Sequence, residues 1–370
     1  MTFFLVWTPF NSEKSMNCGQ RQAQTTLPSR PLRDKVNSQS SIFLHVILGS
    51  IATSLLGVRG VDPVLASSGA TILYLLVAFA LHFKGQQPSA VFCGSFAGMT
   101  SFWGFFKRAP FNPGFALLIY LCIAIVTGLL YVSILRFEHK LPKRLFSGYG
   151  GRLGAIAFIG SVACLLISGL LIHLVLNDFQ VVVLKDSTAF GGRAPLAMIL
   201  VSAAGSLLTR ILATYVDSTV PGLNVVLSAS VCGLVGGIFL PSLFPLGAVA
   251  SLYWYAGTFA GMSSTSILDS HRGIFLAGAI TGVFLAGLHH YGSGAGGVLG
   301  FSAFLAVIVL KSVAEFVNRN KANTTTHYDL SIRLSTGRFT ERYEWGDDSV
   351  TQNQTNGGRC EVYSHGKRTR

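Results

Sequence analysis

The sequence predicts an all-α polytopic membrane protein with about ten transmembrane segments, arranged as two five-segment repeats. Its composition, its long uncharged segments and an internal repeat support this fold class. Of the 370 residues, 50% are hydrophobic and 12% are charged, whereas soluble domains carry about 25% charged residues. Contiguous apolar surface on this scale requires lipid rather than water as its solvent.

Long apolar segments supply the candidate transmembrane helices, since a helix needs about 20 apolar residues to cross the hydrocarbon core. Two further segments, 90–106 and 246–262, are uncharged and rich in Gly, Ser, Thr and aromatic residues. At 17 residues each, they reach only about 25 Å as straight helices. We therefore expect each to be a short broken or re-entrant segment. The eight long segments are 41–58, 64–83, 111–135, 153–177, 196–216, 222–240, 271–290 and 297–317.

The two short segments share a sequence motif. Residues 93–101 read Cys-Gly-Ser-Phe-Ala-Gly-Met-Thr-Ser, and residues 256–264 read Ala-Gly-Thr-Phe-Ala-Gly-Met-Ser-Ser. Six of these nine positions are identical, and two more exchange Ser and Thr. Other matches follow in the same order, at offsets of 162, 156 and 154 residues: Val64-Leu65 with Val226-Leu227, Gly49-Ser50 with Gly205-Ser206, and Thr127-Gly128 with Thr281-Gly282. This order indicates a duplicated unit.

The topology depends on whether the short segments cross the membrane. Five crossings per unit would invert the second copy, and four would leave the copies parallel. With a cytoplasmic N-terminus, five crossings place seven basic loop residues inside and five outside, whereas four crossings give six on each side. The dense basic loop 136–152 lies inside only with five crossings, so the positive-inside rule favours inverted repeats. Both arrangements place the two termini in the cytoplasm.

The polar ends of the chain frame the two repeats. We expect residues 1–40 to form a disordered basic cytoplasmic tail and residues 319–370 a polar, mostly disordered cytoplasmic tail. The first repeat then covers 41–177, the connecting loop 178–195 and the second repeat 196–318. The net charge of +13 lies mainly in the tails and one loop, which indicates membrane orientation rather than nucleic-acid binding. The short loops suggest a bacterial inner membrane.

The motif segments are the first candidates for a solute site. Their glycines form small-xxx-small pairs, which could simply allow close helix packing. The alternative is that each segment is a helix broken at mid-membrane, with carbonyls and hydroxyls facing a shared cavity. The candidate substrate-binding residues are Gly94, Ser95, Gly98, Thr100, Ser101, Gly257, Thr258, Gly261, Ser263 and Ser264.

Arg210 is a charged residue well within the predicted span 196–216. Intramembrane charges are functional suspects by default, so an anion contact or an ion pair is one interpretation. Asp217 lies seven residues further on, about two helical turns away on the same face. The other interpretation is that Arg210 extends to the interface near the end of its span.

Several kinds of chemistry have no evident residues in this sequence. No Asp or Glu lies deep in a span, no nucleotide-binding P-loop is present, and no cluster has metal-ligand spacing. No nucleophile lies beside a plausible base. The six cysteines form no CxxC pair and read as small apolar residues. We therefore expect no enzyme, cofactor or metal site.

These features predict a transporter or channel for a small neutral or anionic solute, with its site between the two repeats. The expected partners are the lipid bilayer and a small-molecule or ion substrate, and a homo-oligomer is compatible with the sequence. The alternative is a membrane scaffold or assembly subunit of an envelope or export complex, whose glycine motifs are packing seams. The five-plus-five plan resembles the general layout of several carrier and channel families, the urea-channel layout among them, in architecture alone.

Overall fold

The computed structural model describes residues 32–80, 87–100, 113–140, 146–176, 194–216, 223–244, 246–292 and 294–335. Within these ranges the chain is helical, with no strand. It divides into one compact unit, Met1–Glu315, and a second, Phe316–Arg370, whose described part completes the last helix. The ten helices of the described residues are α1 (Leu32–Val58), α2 (Pro63–Ala80), α3 (Gln87–Gly98), α4 (Pro113–Lys140), α5 (Arg152–Leu176), α6 (Ala194–Tyr215), α7 (Leu223–Leu243), α8 (Gly247–Gly261), α9 (His271–Gly292) and α10 (Val298–Ser335).

Local sequence signals set several helix starts. The side chain of Asp62 accepts the backbone N–H groups of Val64 and Leu65 at 2.9 and 3.3 Å, which satisfies two amides of the first turn of α2. Pro63 occupies the first helical position, where its missing N–H costs nothing. The hydroxyl of Ser270 accepts the N–H of Gly273 at 3.1 Å and caps α9 in the same way.

Eight of these helices are long and apolar enough to cross a membrane. Their outward faces carry large apolar side chains such as Leu73, Leu118 and Leu166, which are more than half exposed. Their inward faces bury Ala, Ser and Thr, as expected where helices pack closely in lipid. The protein therefore has the architecture of a multi-pass α-helical membrane protein.

The two motif segments form the two short helices, α3 and α8. They have 12 and 15 residues, which corresponds to about 18 and 22 Å. Both are buried along nearly their whole length and end at Gly98 and Gly261. They are thus shorter than the predicted 90–106 and 246–262, and neither is among the eight span-length helices. The predicted count of about ten transmembrane segments is not confirmed.

Helix directions within the first half follow from paired contacts. A Cβ placed on Gly94 would overlap the carbonyl oxygen of Val46, and one on Gly98 would overlap that of Ser50. These two contacts advance together along both helices, so α3 runs parallel to α1. The side chain of Arg136 donates to Gln39 at 2.7 Å, so the end of α4 lies beside the start of α1. The two helices α1 and α4 are therefore antiparallel.

The second half repeats these relationships. Gly257 and Gly261 abut the carbonyl oxygens of Ser202 and Ser206, so α8 runs parallel to α6. The hydroxyls of Ser202 and Ser206 donate to the carbonyls of Gly278 and Ile274. Their opposite order makes α9 antiparallel to α6.

Two antiparallel helix pairs join the halves. Gly237 of α7 abuts Leu65 of α2, while Gly233 abuts Ser68, so residue numbers rise on one helix as they fall on the other. Helices α5 and α10 cross where the α-carbons of Gly154 and Gly300 meet. Side chains larger than glycine would separate the backbones at this crossing.

The ends of the described chain differ from the predicted tails. Helix α1 begins at Leu32, inside the stretch predicted as disordered, and α10 continues past residue 319 to Ser335. No Gly or Pro occurs between Gly300 and Gly337, so nothing in the covalent chain interrupts the helix. Residues 1–31, 336–370 and nearly all of the predicted loop 178–195 lie outside the described residues.

We expect Gly94→Ala to destabilise the protein by about 1–3 kcal/mol, because the added methyl group forces α1 and α3 apart. The melting temperature of detergent-purified protein measures this loss. The matched control is Gly69→Ala on α2, where an added Cβ meets no atom within 4 Å. That change removes only the flexibility of glycine and should leave stability unchanged or raise it slightly. Equal melting temperatures for the two variants would contradict the packing role.

Candidate functional site

The four motif glycines lie at helix contacts rather than facing open space. Gly94 and Gly98 face α1, and Gly257 and Gly261 face α6, each against a backbone carbonyl oxygen of the partner helix. Such close approach needs the absence of a Cβ. These contacts support the packing interpretation for all four residues. Gly98 also borders a cavity.

The motif hydroxyls make short local hydrogen bonds. Ser95, Thr100, Thr258 and Ser263 each donate to the carbonyl oxygen three residues earlier, at 2.7–2.8 Å. Ser264 is partly exposed, and its hydroxyl lies 2.6 Å from that of Ser266. Ser101 lies outside the described residues. Local bonds of this kind are common in membrane helices, so they do not by themselves indicate a ligand.

The end of each short helix is held by a loop from the other half of the chain. The backbone N–H of Gly296 donates to the Thr100 hydroxyl at 3.0 Å. The N–H of Gly150 donates to the Ser263 hydroxyl at 3.1 Å. A Cβ on either glycine would overlap carbonyl oxygens at the end of the short helix. Thr100 and Ser263 therefore join the two halves, which their position in the motif alone does not reveal.

A second repeat in the sequence underlies these loops. Residues 147–154 read Ser-Gly-Tyr-Gly-Gly-Arg-Leu-Gly, and residues 293–300 read Ser-Gly-Ala-Gly-Gly-Val-Leu-Gly. Six of the eight positions are identical, at an offset of 146 residues. Sequence reasoning missed this match, although the repeated glycine spacing was a usable signal. The loops need glycine because Gly148, Gly151, Gly294 and Gly297 have φ between +79° and +94°.

Arg210 is buried at the end of the second short helix. Its guanidinium donates to the carbonyl oxygens of Ser263 and Leu268 at 2.8 and 3.4 Å. Within the described residues, no carboxylate lies within 4.0 Å of it. Asp217, the suggested partner, lies outside them. The positive charge thus lies against backbone carbonyl oxygens of the loop that follows α8. In the first half, the Ser54 hydroxyl donates to the carbonyl of Gly98 at 3.3 Å.

Four aromatic rings fill the space where the short helices meet. Phe96 and Phe259 lie 4.7 Å apart between ring centroids, and Phe92 and Tyr255 flank them. The flanking distances, Phe92 to Phe96 and Tyr255 to Phe259, are 4.4 and 4.6 Å. All four side chains are at most 2% exposed. We call these four residues the aromatic cluster.

Two cavities lie beside the ends of the short helices, one at each, and the second reaches Phe96 and Phe259 of the aromatic cluster. The first vestibule, about 340 Å³, is lined by Thr53, Gly57, Asp62 and Thr100, among others. It lies where α1 ends and α2 begins.

The second vestibule, about 360 Å³, is lined by Ser89, Ser147, Arg152 and Arg210, together with Phe96 and Phe259. It lies where α3 and α5 begin, and α5 follows the end of α4 that lies beside the start of α1. The two vestibules therefore lie at opposite ends of α1. Ser263 and Ser264 line the second vestibule, whereas Gly94, Ser95, Gly257, Thr258 and Gly261 line neither.

The vestibules differ in charge. Asp62 lines the first vestibule, while Arg152 and Arg210 line the second. Arg152 is paired with Glu138 at 2.8 Å, so Arg210 leaves one net positive charge there. Tyr149 also lines the second vestibule, in the turn before α5. Burial, and then the Glu315 carboxylate, raise the pKa of Tyr149, so the phenol stays neutral near pH 7.

No three His, Cys, Asp or Glu side chains in the described ranges are placed to hold a metal ion together. No protein-family model, characterised protein or solved structure matches the chain. Any function must therefore be argued from the geometry above.

We expect Thr100→Val to destabilise the protein by about 1–3 kcal/mol, because it leaves the buried N–H of Gly296 without a partner. Faster hydrogen exchange across residues 294–300 and a lower melting temperature should report the loss. Thr281→Val is the matched control, since the buried Thr281 hydroxyl donates only within its own helix, to Ala277 at 2.8 Å. Equal melting temperatures and equal hydrogen exchange in the two variants would show that the bond between the halves adds no stability beyond that of a hydroxyl bonded within one helix.

Proposed function

We propose that the protein is a multi-pass transporter or channel that moves a small neutral or anionic solute across the membrane. The observation that carries the proposal is the pair of vestibules at opposite ends of α1, with the aromatic cluster between them along α3. Phe92 and Phe96 lie between Ser89, which lines the second vestibule, and Gly98, which lines the first. A solute path needs access from both sides and a barrier between them. In this conformation the barrier is closed, so solute passage requires the four rings to separate.

The proposal includes two inverted repeats of five crossings each. Its support is that matched helices of the two halves, α2 with α7 and α5 with α10, pack antiparallel. Parallel repeats would give matched helices the same direction. Helix α2 follows α1 after a turn of four residues and runs back along it, and α4 also runs opposite to α1. Between the end of α2 and the start of α4 the chain must therefore cross the membrane once. Helix α3 runs parallel to α1 and supplies part of that crossing.

We further propose that the second vestibule faces the cytoplasm and that both termini lie on that side. Among the described basic residues, Arg136, Lys140, Arg152 and Arg272 lie at the helix ends on that side, and Arg59 lies at the other. This distribution follows the positive-inside rule. A bacterial inner membrane remains the proposed location.

Labelling of single cysteines in a cysteine-free background tests the topology. Gly57→Cys lies in the first vestibule, where an added Cβ meets no atom within 4 Å. Ser147→Cys lies in the second. We expect a membrane-impermeant maleimide to label Gly57→Cys from outside and Ser147→Cys from the cytoplasm. Labelling of both positions from one side would indicate four crossings per half and parallel repeats.

Solute flux into proteoliposomes tests transport itself. We expect protein-dependent uptake of at least one small neutral or anionic solute, measured by stopped-flow light scattering. Phe259→Ala should speed uptake or admit a larger solute, because it removes one ring of the aromatic cluster. Phe158→Ala is the control, since Phe158 stacks on Phe301 at 4.8 Å, outside the cluster. Absence of flux for every solute and gradient tested would overturn transport.

A membrane scaffold or assembly subunit is the second candidate. The observation that favours it is that the motif glycines are accounted for by helix packing alone. In a scaffold, the barrier between the vestibules would stay closed. The protein would be recovered from native membranes in a stable complex with other chains or with further copies of itself. Cross-linking in native membranes, combined with absent flux, would move this candidate ahead.

A further inference from the structure

The two halves match in packing but differ in polarity at their centre. At the offset of 163 residues that relates the short helices, Tyr255 matches Phe92. At the offset of 162 residues that relates α2 and α7, Ser67 matches Ala229 and Thr71 matches Gly233. Packing that is common to both halves accounts for the shared residues. It does not account for the hydroxyl groups of Tyr255, Ser67 and Thr71, which the matched residues lack.

The unmatched hydroxyls form one hydrogen-bonded chain with Ser95. The Tyr255 hydroxyl lies 3.2 Å from that of Ser67, which lies 2.9 Å from that of Ser95. Ser95 donates to the carbonyl oxygen of Phe92 at 2.8 Å. Each of these side chains is fully buried.

The surrounding residues make room for the tyrosine. A Cβ on Gly233 would overlap the ring of Tyr255. The position matched to Gly233 carries Thr71, and the position matched to Tyr255 carries the smaller Phe92. The glycine and the tyrosine therefore depend on each other, and this pair brings the phenol hydroxyl to Ser67.

The hydroxyl chain lies between the two vestibules. Ala66, the neighbour of Ser67, lines the first vestibule. Phe96 and Phe259 line the second, and both rings contact Tyr255, with centroids 6.2 and 4.6 Å from its own. A solute that passes between the parted rings therefore meets the Tyr255 hydroxyl.

The direction of the hydrogen bonds limits what this site can bind. Because the Ser95 proton goes to a carbonyl oxygen, Ser67 donates to Ser95 and Tyr255 donates to Ser67. The phenol oxygen is then left with acceptor capacity only. An anion needs a hydrogen-bond donor, which this oxygen does not offer, whereas a solute with an N–H or O–H group can donate to it. The chain itself carries no charged group to offset the cost of burying an ion.

We infer that Tyr255 and Ser67 form the solute-selecting site, and that the solute is a small uncharged molecule that donates hydrogen bonds, of the amide or polyol class. This inference rests on the proposed transport function and narrows its substrate class. The aromatic cluster supplies the barrier, and the hydroxyl chain supplies the recognition.

Flux measurements on matched variants test the site. Urea and glycerol serve as uncharged donor probes and chloride as the anion probe, in proteoliposomes of wild type, Tyr255→Phe, Ser67→Ala and Tyr253→Phe. Tyr255→Phe removes the oxygen that accepts from the solute and should slow urea or glycerol flux about three- to tenfold. Ser67→Ala removes the acceptor that directs the Tyr255 proton away from the solute, so the phenol no longer presents an acceptor alone and the same flux should slow by a similar factor. Tyr253 is buried on the same helix but outside the hydroxyl chain, so Tyr253→Phe should match wild type. Melting temperatures establish that the variants are folded, and Ser67→Ala carries the test if Tyr255→Phe does not fold.

The outcomes separate the inference from the proposed function. Selective slowing of the uncharged probes in both hydroxyl variants supports the inference. Chloride flux without urea or glycerol flux overturns the substrate class and leaves transport standing. Urea or glycerol flux that both variants leave unchanged overturns the assignment of the site and also leaves transport standing. Wild-type protein that carries none of the three probes overturns this substrate class, and transport itself falls only if the wider solute panel is also negative.

Discussion

The structure depends on hydrogen-bond partners for the ends of two short helices that lie inside a membrane protein. A helix end exposes backbone carbonyls that need partners, and lipid supplies none. Here the partners come from within the protein: Ser54 donates to Gly98 at the end of α3, and the hydroxyls of Thr100 and Ser263 donate to Ala97 and Ala260 at the two helix ends. Glycine loops from the opposite half donate in turn to those two hydroxyls. Because each short helix is completed by the other half, the two halves are held together at the point where their interiors meet.

Glycine makes this arrangement geometrically possible. The short helices lie against α1 and α6 at backbone distance, and the loops reach the helix ends only through glycines without a Cβ. The backbones of α5 and α10 meet at Gly154 and Gly300 for the same reason. Such contacts fix the frame of the molecule and leave little freedom for ligand binding at the glycines themselves. In the proposed transport function, chemical specificity falls to positions where the halves differ, such as Tyr255, Arg210 and Asp62.

Part of the candidate site was predictable from the sequence. The repeated motif located the two short segments and named Thr100 and Ser263, and the rarity of intramembrane charge named Arg210. All three border the vestibules. The motif could not separate packing glycines from cavity-lining residues, because both uses favour the same small side chains. The aromatic cluster was not predicted, since Phe and Tyr in an apolar segment look like ordinary core residues. The glycine loops were readable as a second repeat, but their contact with the opposite half was not.

The sequence by itself determined the class of molecule: a helical, multi-pass membrane protein with paired glycine-rich segments. Hydropathy and repeat spacing are properties of the chain. In lipid, a long apolar segment satisfies its backbone hydrogen bonds by forming a helix. The tertiary structure alone decided which hydroxyls meet, where the short helices end and which rings separate the vestibules. These depend on contacts between residues more than 100 positions apart, such as Ser67 with Tyr255 and Gly150 with Ser263. Local patterns carry no information about such contacts because they arise only when the two halves pack together.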